Sequence, residues 1–271
     1  MQKWRFIDSG SLSGPENMAL DDALLQTFDP QRSLPVLRLY GWSSPTLSLG
    51  RFQDAAEVLL LDCCRAAGVP VVRRISGGGV IYHAGELTYS IICAPEQIPA
   101  ADSIKGTYRI LTGFLLQFYR NLGLKADYAV DSDVDRECLG ERTPFCFAGR
   151  EQFDILVGGR KIGGNAQRRQ KNVIFQHGSI PLIDSLREGV VYLRDRPIGL
   201  KERVTCLASE GVASGREALT EAVTEAFCSH FNTELLACSC EGNEQEAACT
   251  LLQEKYLNDQ WNLSGEGGTD R

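Results

Sequence analysis

Residues Arg73-Arg74-Ile75-Ser76-Gly77-Gly78-Gly79-Val80-Ile81-Tyr82-His83-Ala84-Gly85-Glu86-Leu87-Thr88-Tyr89-Ser90 set three consecutive glycines between two β-rich runs, Val71 to Ile75 and Val80 to Tyr82. A third run, Leu87 to Cys93, follows at once. Glycine inside a strand pattern marks a bend or a place where a ligand lies against the backbone. From the residues alone both readings stand: a tight hairpin, or a loop whose bare backbone admits a ligand chain. Gly158-Gly159-Arg160-Lys161-Ile162-Gly163-Gly164-Asn165-Ala166-Gln167 repeats the device with a lysine at its centre. Two such loops beside basic residues point to backbone laid open to a long, thin ligand with a polar end.

Working outward, Val36 to Tyr40, Thr46 to Leu49, Phe153 to Val157 and Val173 to Ile180 read as further short strands. Ser13-Gly14-Pro15-Glu16-Asn17 carries a helix start, with Pro and Glu in the first turn. Met18, Leu20, Leu24, Leu25 and Phe28 supply its stripe. Helices are expected over Asp54 to Ala67, Ile104 to Leu122, Arg216 to Phe231 and Glu246 to Leu257. The acidic stretch Asp127 to Arg142 reads as an irregular connection or exposed loop that could act as a lid, and Gly265 to Arg271 as a frayed tail. Short strands in hairpin-like succession with a few helices define an α+β fold, not a βαβ repeat.

The bulk properties narrow the function. A chain of 271 residues, 43% apolar and 23% charged, can bury a real core in one large domain or in a domain with a small appendage. A net charge of -7 argues against a general nucleic-acid binder. Basic residues gather locally, as Arg160, Lys161, Arg168, Arg169 and Lys171, with Arg73, Arg74 and Arg150 elsewhere. They form either a solvated charged face or a surface that steers an acidic partner or holds a carboxylate or phosphate. No apolar run follows the first Lys and Arg, so no signal peptide is expected, and Val58-Leu59-Leu60-Leu61 is too short to span a bilayer. Ten scattered cysteines in a chain this long indicate a reduced, cytoplasmic protein without a membrane partner.

No G-x-G-x-x-G opens a helix and no G-x-x-x-x-G-K-[ST] loop occurs, so the glycines belong to neither common nucleotide fingerprint. Cys146 stands between two phenylalanines, upstream of Lys161. A thiol is a competent acyl acceptor once ionised, and a nearby ammonium favours that form; a buried structural cysteine is the alternative. Lys161 could also polarise a thioester carbonyl or help deprotonate an amine. His83 and His177, each beside a glycine turn, are candidate bases or hydrogen-bonded structural residues. Cys228, His230, Cys238, Cys240 and Cys249 form a loose group whose spacing matches no common zinc arrangement, and no metal is expected.

The Arg73–Ser90 stretch resembles the R-R-x-[ST]-G-G-G-x-x-x-H motif, with its following E-L-T-Y-S, of the lipoate/biotin protein ligase superfamily. Gly159 to Arg168 resembles the second motif of that superfamily, and Gly14 to Asp21 and Gln176 to Ile180 match two more, in family order across about residues 10 to 185. The resemblance implies a biotinyl/lipoyl protein ligase type of catalytic domain: a mixed, largely antiparallel sheet flanked by helices. The expected layout is a catalytic domain over 1–235 and a helical extension over 236–271. Cys146-Phe147 ahead of the second motif is similar to the cysteine-dependent octanoyltransferases of Gram-positive bacteria. There the cysteine matching Cys146 is the nucleophile and the lysine matching Lys161 works with it. The substrate-binding positions implied are Arg74, Ser76, Gly77, Gly78, Gly79, His83, Gly163, Gly164, Asn165 and Ala166.

That group passes octanoate from octanoyl-acyl carrier protein to a lipoyl-domain lysine, on a protein such as the glycine cleavage H protein or a dehydrogenase E2, through a thioester and without a cofactor. The superfamily offers two alternatives: an ATP- and Mg²⁺-dependent lipoate–protein ligase, and an amidotransferase between lipoyl proteins. A non-catalytic sensor ranks last, since no helix-turn-helix precedes the domain. Ala148-Gly149-Arg150-Glu151 departs from the acidic-serine-proline run usual after the cysteine.

Overall fold

The computed structural model describes residues 1–100, 103–132 and 143–266. In chain order β1 (Gln2–Leu12), α1 (Gly14–Thr27), β2 (Val36–Trp42), β3 (Thr46–Leu49), α2 (Ala55–Val58), α3 (Leu61–Ala66), β4 (Val71–Arg73), β5 (Ile81–His83), β6 (Glu86–Cys93) and α4 (Ile104–Asn121) form the first half. The second half comprises β7 (Ala126–Tyr128), β8 (Ile155–Val157), β9 (Arg160–Lys161), β10 (Asn165–Gln170), β11 (Val173–Pro181), α5 (Leu186–Gly189), α6 (Leu200–Arg203), α7 (Arg216–Phe231), β12 (Thr233–Ala237) and α8 (Gly242–Leu251). Two π-helical turns follow, Leu252–Tyr256 and Gln260–Ser264.

The main sheet runs β10-β11-β6-β2-β1-β12. Its β10–β11–β6–β2 half is antiparallel, whereas β1 pairs with β2 and β12 in parallel. Two three-stranded sheets, β4-β3-β5 and β7-β8-β9, stand beside it. The fold is therefore α+β with a mixed, largely antiparallel sheet flanked by helices. Period-two alternation divides its faces. Leu87, Tyr89, Ile91 and Cys93 of β6 join a core with Phe114 and Phe118 of α4 and Phe227 of α7. Ile92 points the other way, toward Met18, Leu24 and Leu25 of α1 and the carboxy-terminal Tyr256 and Trp261.

The α1 start is closed by Glu16, whose carboxylate accepts from the Ser13 backbone N–H at 2.8 Å. Its buried face carries charge because partners meet it. Asp21 accepts from Arg38 (2.7 Å), Tyr40 (2.9 Å) and Ser90 (2.7 Å), and Asn17 Oδ1 accepts from Arg38 (2.7 Å), so α1, β2 and β6 are locked together.

Two expectations are corrected. The helix expected over Asp54 to Ala67 is two short helices, because Leu59 pairs with Leu193 and the Leu60 N–H donates to Tyr192 O. Asp127 to Arg142 is not wholly irregular: Tyr128 belongs to β7, while 133–142 lie outside the described residues. The tail expected to fray is described only to residue 266. β12 spans both sides of the expected 235/236 boundary. Among the described residues no group of three or more His, Cys, Asp or Glu gathers to hold a metal. Nor is any described helix long and apolar enough to cross a membrane.

Candidate active site

Two of the three central glycines meet different demands. Gly78 has φ +100°, a conformation that L side chains avoid. Gly79 has no room for a Cβ, which would stand 2.7 Å from the Cys146 nitrogen. The chain bearing Cys146 crosses here: Val80 N donates to Pro144 O (2.8 Å) and Cys146 N to Val80 O (3.1 Å). Gly77 faces open space. Arg74 fastens the loop from beneath, donating to Gly77 O (2.9 Å), Gly79 O (2.7 Å) and Ser48 O (2.9 Å). Arg73 turns away and is wholly structural, donating to the carbonyls of Gly50, Arg51, Gln53, Trp261 and Leu263.

The second loop reaches the same cysteine from the other side. Gly163, at φ +96°, presses against Ser179, and a Cβ on Gly164 would lie 2.9 Å from Cys146 Sγ. Both glycine loops thus converge on one cysteine, the first at its backbone and the second at its sulfur. A small cavity of about 30 Å³ opens there, lined by six of the expected residues (Arg74, Gly78, His83, Gly164, Asn165 and Ala166) and by Cys146 itself. Ser76, Gly77, Gly79 and Gly163 do not line it. That volume is about one water's share of the liquid, so an eight-carbon chain needs side chains to move aside.

Lys161 lies beneath the Cys146 segment. Its ammonium donates to Cys146 O (2.9 Å) and Gly149 O (3.1 Å) and pairs with Asp154 at 2.7 Å, both charged side chains being 3% exposed or less. Burial alone would lower its pKa, but the Asp154 carboxylate and nearby Cys146 outweigh that and hold it above the ordinary lysine value. Arg74 is pushed down to about 10 by burial, against the pull of Cys146, and stays cationic near neutrality. Its Nε is buried with no partner among the described residues.

Two histidines line the cavity with opposite surroundings. His177 sits 2.5 Å from Ser76 Oγ; burial, then Arg74 and His83, hold it well below the usual histidine value. His83 Nδ1 lies 2.7 Å from Glu86, and its ring stacks on Trp42 at 3.8 Å. Burial would raise the Glu86 carboxyl, but His83, Thr88 and Ser179 together hold it below the ordinary value. Sequence reading missed Asp154, Ser48 and Trp42. None lies in a matched motif, and each becomes a site residue only through the fold. The basic window is not one surface: Arg73, Arg74 and Lys161 are buried, and Arg160 pairs with Glu210 at 2.5 Å. Arg168 and Lys171 remain beside Arg51 and Lys255, along a groove next to Ile75.

Comparison with known proteins agrees with this geometry. Residues 13–232 match the lipoyl protein ligase A/B catalytic domain. Octanoyltransferase LipM of Bacillus subtilis (strain 168) is 35% identical over 278 residues, covering 97% of this chain and 99% of the relative. Among solved structures, the bi-partite lipoate protein ligase from Thermoplasma acidophilum, described with its E2 lipoyl domain, superposes with a TM-score of 0.82 at 20% identity over 100% of both chains. Lipoate-protein ligase A bound with ATP gives 0.80 at 22% identity, over 97% of this chain and 98% of that one. The motifs around both glycine loops, the sheet that carries them and these matches agree: the chain belongs to the lipoyl protein ligase A/B catalytic domain family.

Proposed function

We infer that this protein is an acyltransferase that moves an octanoyl group in lipoate biosynthesis, through a thioester on Cys146 and without ATP or a metal. The carrying observation is the convergence of both glycine loops on Cys146 above the Lys161 ammonium. The named activity of the Bacillus subtilis relative supports the same reading.

The donor is octanoyl-acyl carrier protein. Its acidic surface docks on the groove bearing Arg51, Arg168 and Lys171, and its thioester enters beside Gly78. The Cys146 thiolate attacks the carbonyl, with the Lys161 charge close by. The open Arg74 Nε–H is a donor for the oxyanion that develops. Collapse expels the carrier thiol and leaves octanoyl-Cys146. A lysine of a lipoyl domain, on the glycine cleavage H protein or a dehydrogenase E2, then takes the acyl group as an amide. One thioester replaces another at little cost and the amide is downhill, so nothing in the sequence of steps calls for ATP. The nine described cysteines are free, in keeping with a reducing cytoplasm.

Intact mass spectrometry of an apo lipoyl domain mixed with the protein and octanoyl carrier protein, without ATP, tests this reading. An octanoyl adduct on the domain, with a transient one on Cys146, is expected; Cys146→Ser abolishes both while the fold survives. Full transfer by that variant, or transfer seen only with free lipoate, ATP and Mg²⁺, overturns it.

A further inference from the structure

An acceptor lysine arrives as an ammonium and must lose a proton before its nitrogen can attack octanoyl-Cys146. Lys161 is badly placed to take that proton. It is itself protonated, and its three N–H donors end on Cys146 O, Gly149 O and Asp154 Oδ2. Among the described residues lining the cavity, the other ionisable groups are Arg74, His83 and His177. Arg74 is a donor only. His177 is kept neutral by its burial and by Arg74, so it binds a proton poorly.

His83 is built differently. Glu86 accepts from Thr88 (2.6 Å) and Ser179 (2.7 Å), which fix its carboxylate against His83 Nδ1. An ionised carboxylate only accepts, so Nδ1 carries the hydrogen and Nε2 offers its lone pair, here 2.7 Å from Ser48 Oγ. The ring lies nearly flat on Trp42, with an interplanar angle of 11°, which fixes its orientation. Arg74 donates to the far side of the Ser48 hydroxyl at 3.3 Å, and Glu86 is the carboxylate that faces the ring. Glu86 also lines a separate cleft of about 490 Å³ beside the exposed Ile183. The His83–Glu86 pair therefore stands between the cavity holding Cys146 and the surface.

We propose, resting on the transferase reading above, that His83 is the general base of the second half-reaction, with Glu86 as its positioning residue. The acceptor ammonium gives one proton to Nε2 in place of the Ser48 hydroxyl. The freed amine attacks the thioester carbonyl, the C–N bond forms and the C–S bond breaks. The sulfur takes the second N–H proton, and His83 releases the first by way of the Glu86 cleft. The sum is acyl-enzyme plus ammonium giving amide, free thiol and one proton.

The two half-reactions separate this role from a structural one. His83→Gln enzyme is loaded with an octanoyl thioester, and the adduct on Cys146 is followed by intact mass spectrometry; loading itself reports a folded site. The loaded enzyme is then discharged either to an apo lipoyl domain or to hydroxylamine, which is already unprotonated at neutral pH and needs no base. Lysine transfer is expected to fall about 10²- to 10⁴-fold while hydroxylamine discharge stays at the wild-type rate. Glu86→Gln is expected to slow lysine transfer less than His83→Gln does, and likewise to spare hydroxylamine discharge, because the imidazole loses the carboxylate that orients it. Wild-type lysine transfer by His83→Gln, or equal loss of both discharges, overturns the proposal. Failure of the wild-type enzyme to form octanoyl-Cys146 overturns the transferase reading itself.

Discussion

At the scale of single residues the site depends on atoms that are absent by design. Gly164 has no side chain where a Cβ would meet Cys146 Sγ at 2.9 Å. Gly164→Ala must therefore displace the thiol, and a misplacement of about 1 Å at a reacting atom costs on the order of 10²-fold. Acyl-enzyme formation, followed by stopped mass analysis, is expected to fall by about that factor, with the melting temperature little changed; an undiminished rate would mean the sulfur does not react from this position. His177 makes a second residue-level prediction. Its folded pKa lies below the 6.5 of the unfolded chain, so below pH 6.5 the unfolded state binds a proton that the folded state refuses. Stability is thus whole above that pH and lost as pH falls toward the folded value, by about 1.4 kcal/mol per pH unit. His230 is shifted the same way, so the measurement is a difference: urea melts at pH 7 and pH 5 for wild type and His177→Gln. The variant is expected to lose less stability across that interval. Equal losses would show that His177 takes up its proton in the folded protein.

At the scale of elements the two arginines that open the glycine motif part company. Arg74 faces the cavity, whereas Arg73 holds the turn Gln260–Ser264 to the β3 side of the fold through five backbone carbonyls. Trp261 answers by donating to Arg73 O at 3.0 Å. Removing the guanidinium leaves several buried acceptors unpaired at about 1–3 kcal/mol each. Arg73→Ala is expected to lose about 3 kcal/mol or more in urea denaturation, and Arg73→Lys to recover only part, since an ammonium has three donors and no fork. A neutral Arg73→Ala would mean the carboxy-terminal turn is held by packing alone. Nothing local in the sequence separates these two arginines, because the partners of Arg73 lie 20 to 23 positions before it and some 190 after it. The same distance hid β1 and β12, which pair in parallel and leave no hairpin turn to read. By contrast β3, β6, β11, α4 and α7 were legible, since strand runs, caps and stripes are written locally. In the site, the glycines, Cys146 and Lys161 were legible through their motifs. Asp154 was not, being one acidic residue among many until β8 and β9 bring it to Lys161.

At the scale of the whole molecule the question is whether residues 236–271 are an appendage or part of the catalytic unit, and we propose the latter. β12 completes the sheet edge beside β1 while extending past residue 235. Beyond it, Glu244 takes Arg5 in a two-pronged pair at 2.6 and 2.8 Å. Lys255 and Tyr256 both end on the buried Asp22, at 2.7 and 2.9 Å. Tyr256 and Trp261 are 0% and 2% exposed, against α1. Deleting two such rings uncovers the apolar α1 face they bury, at roughly 2–3 kcal/mol for each ring's contacts. The Asp22 carboxylate loses both its cation and its Tyr256 donor as well. Total stabilities of about 5–15 kcal/mol leave little margin for that sum. A chain ending at residue 235 is therefore expected to show no cooperative urea transition and poor amide dispersion. Because α1 carries Asp21, which fixes Arg38, Tyr40 and Ser90 on β2 and β6, the damage should travel along the sheet to the strand bearing His83's partner Glu86. The truncated protein should then fail to load Cys146 even though no cavity residue has been removed. A cooperative transition with intact loading would instead mark 1–235 as a self-sufficient domain and reduce the last 36 residues to a covering layer.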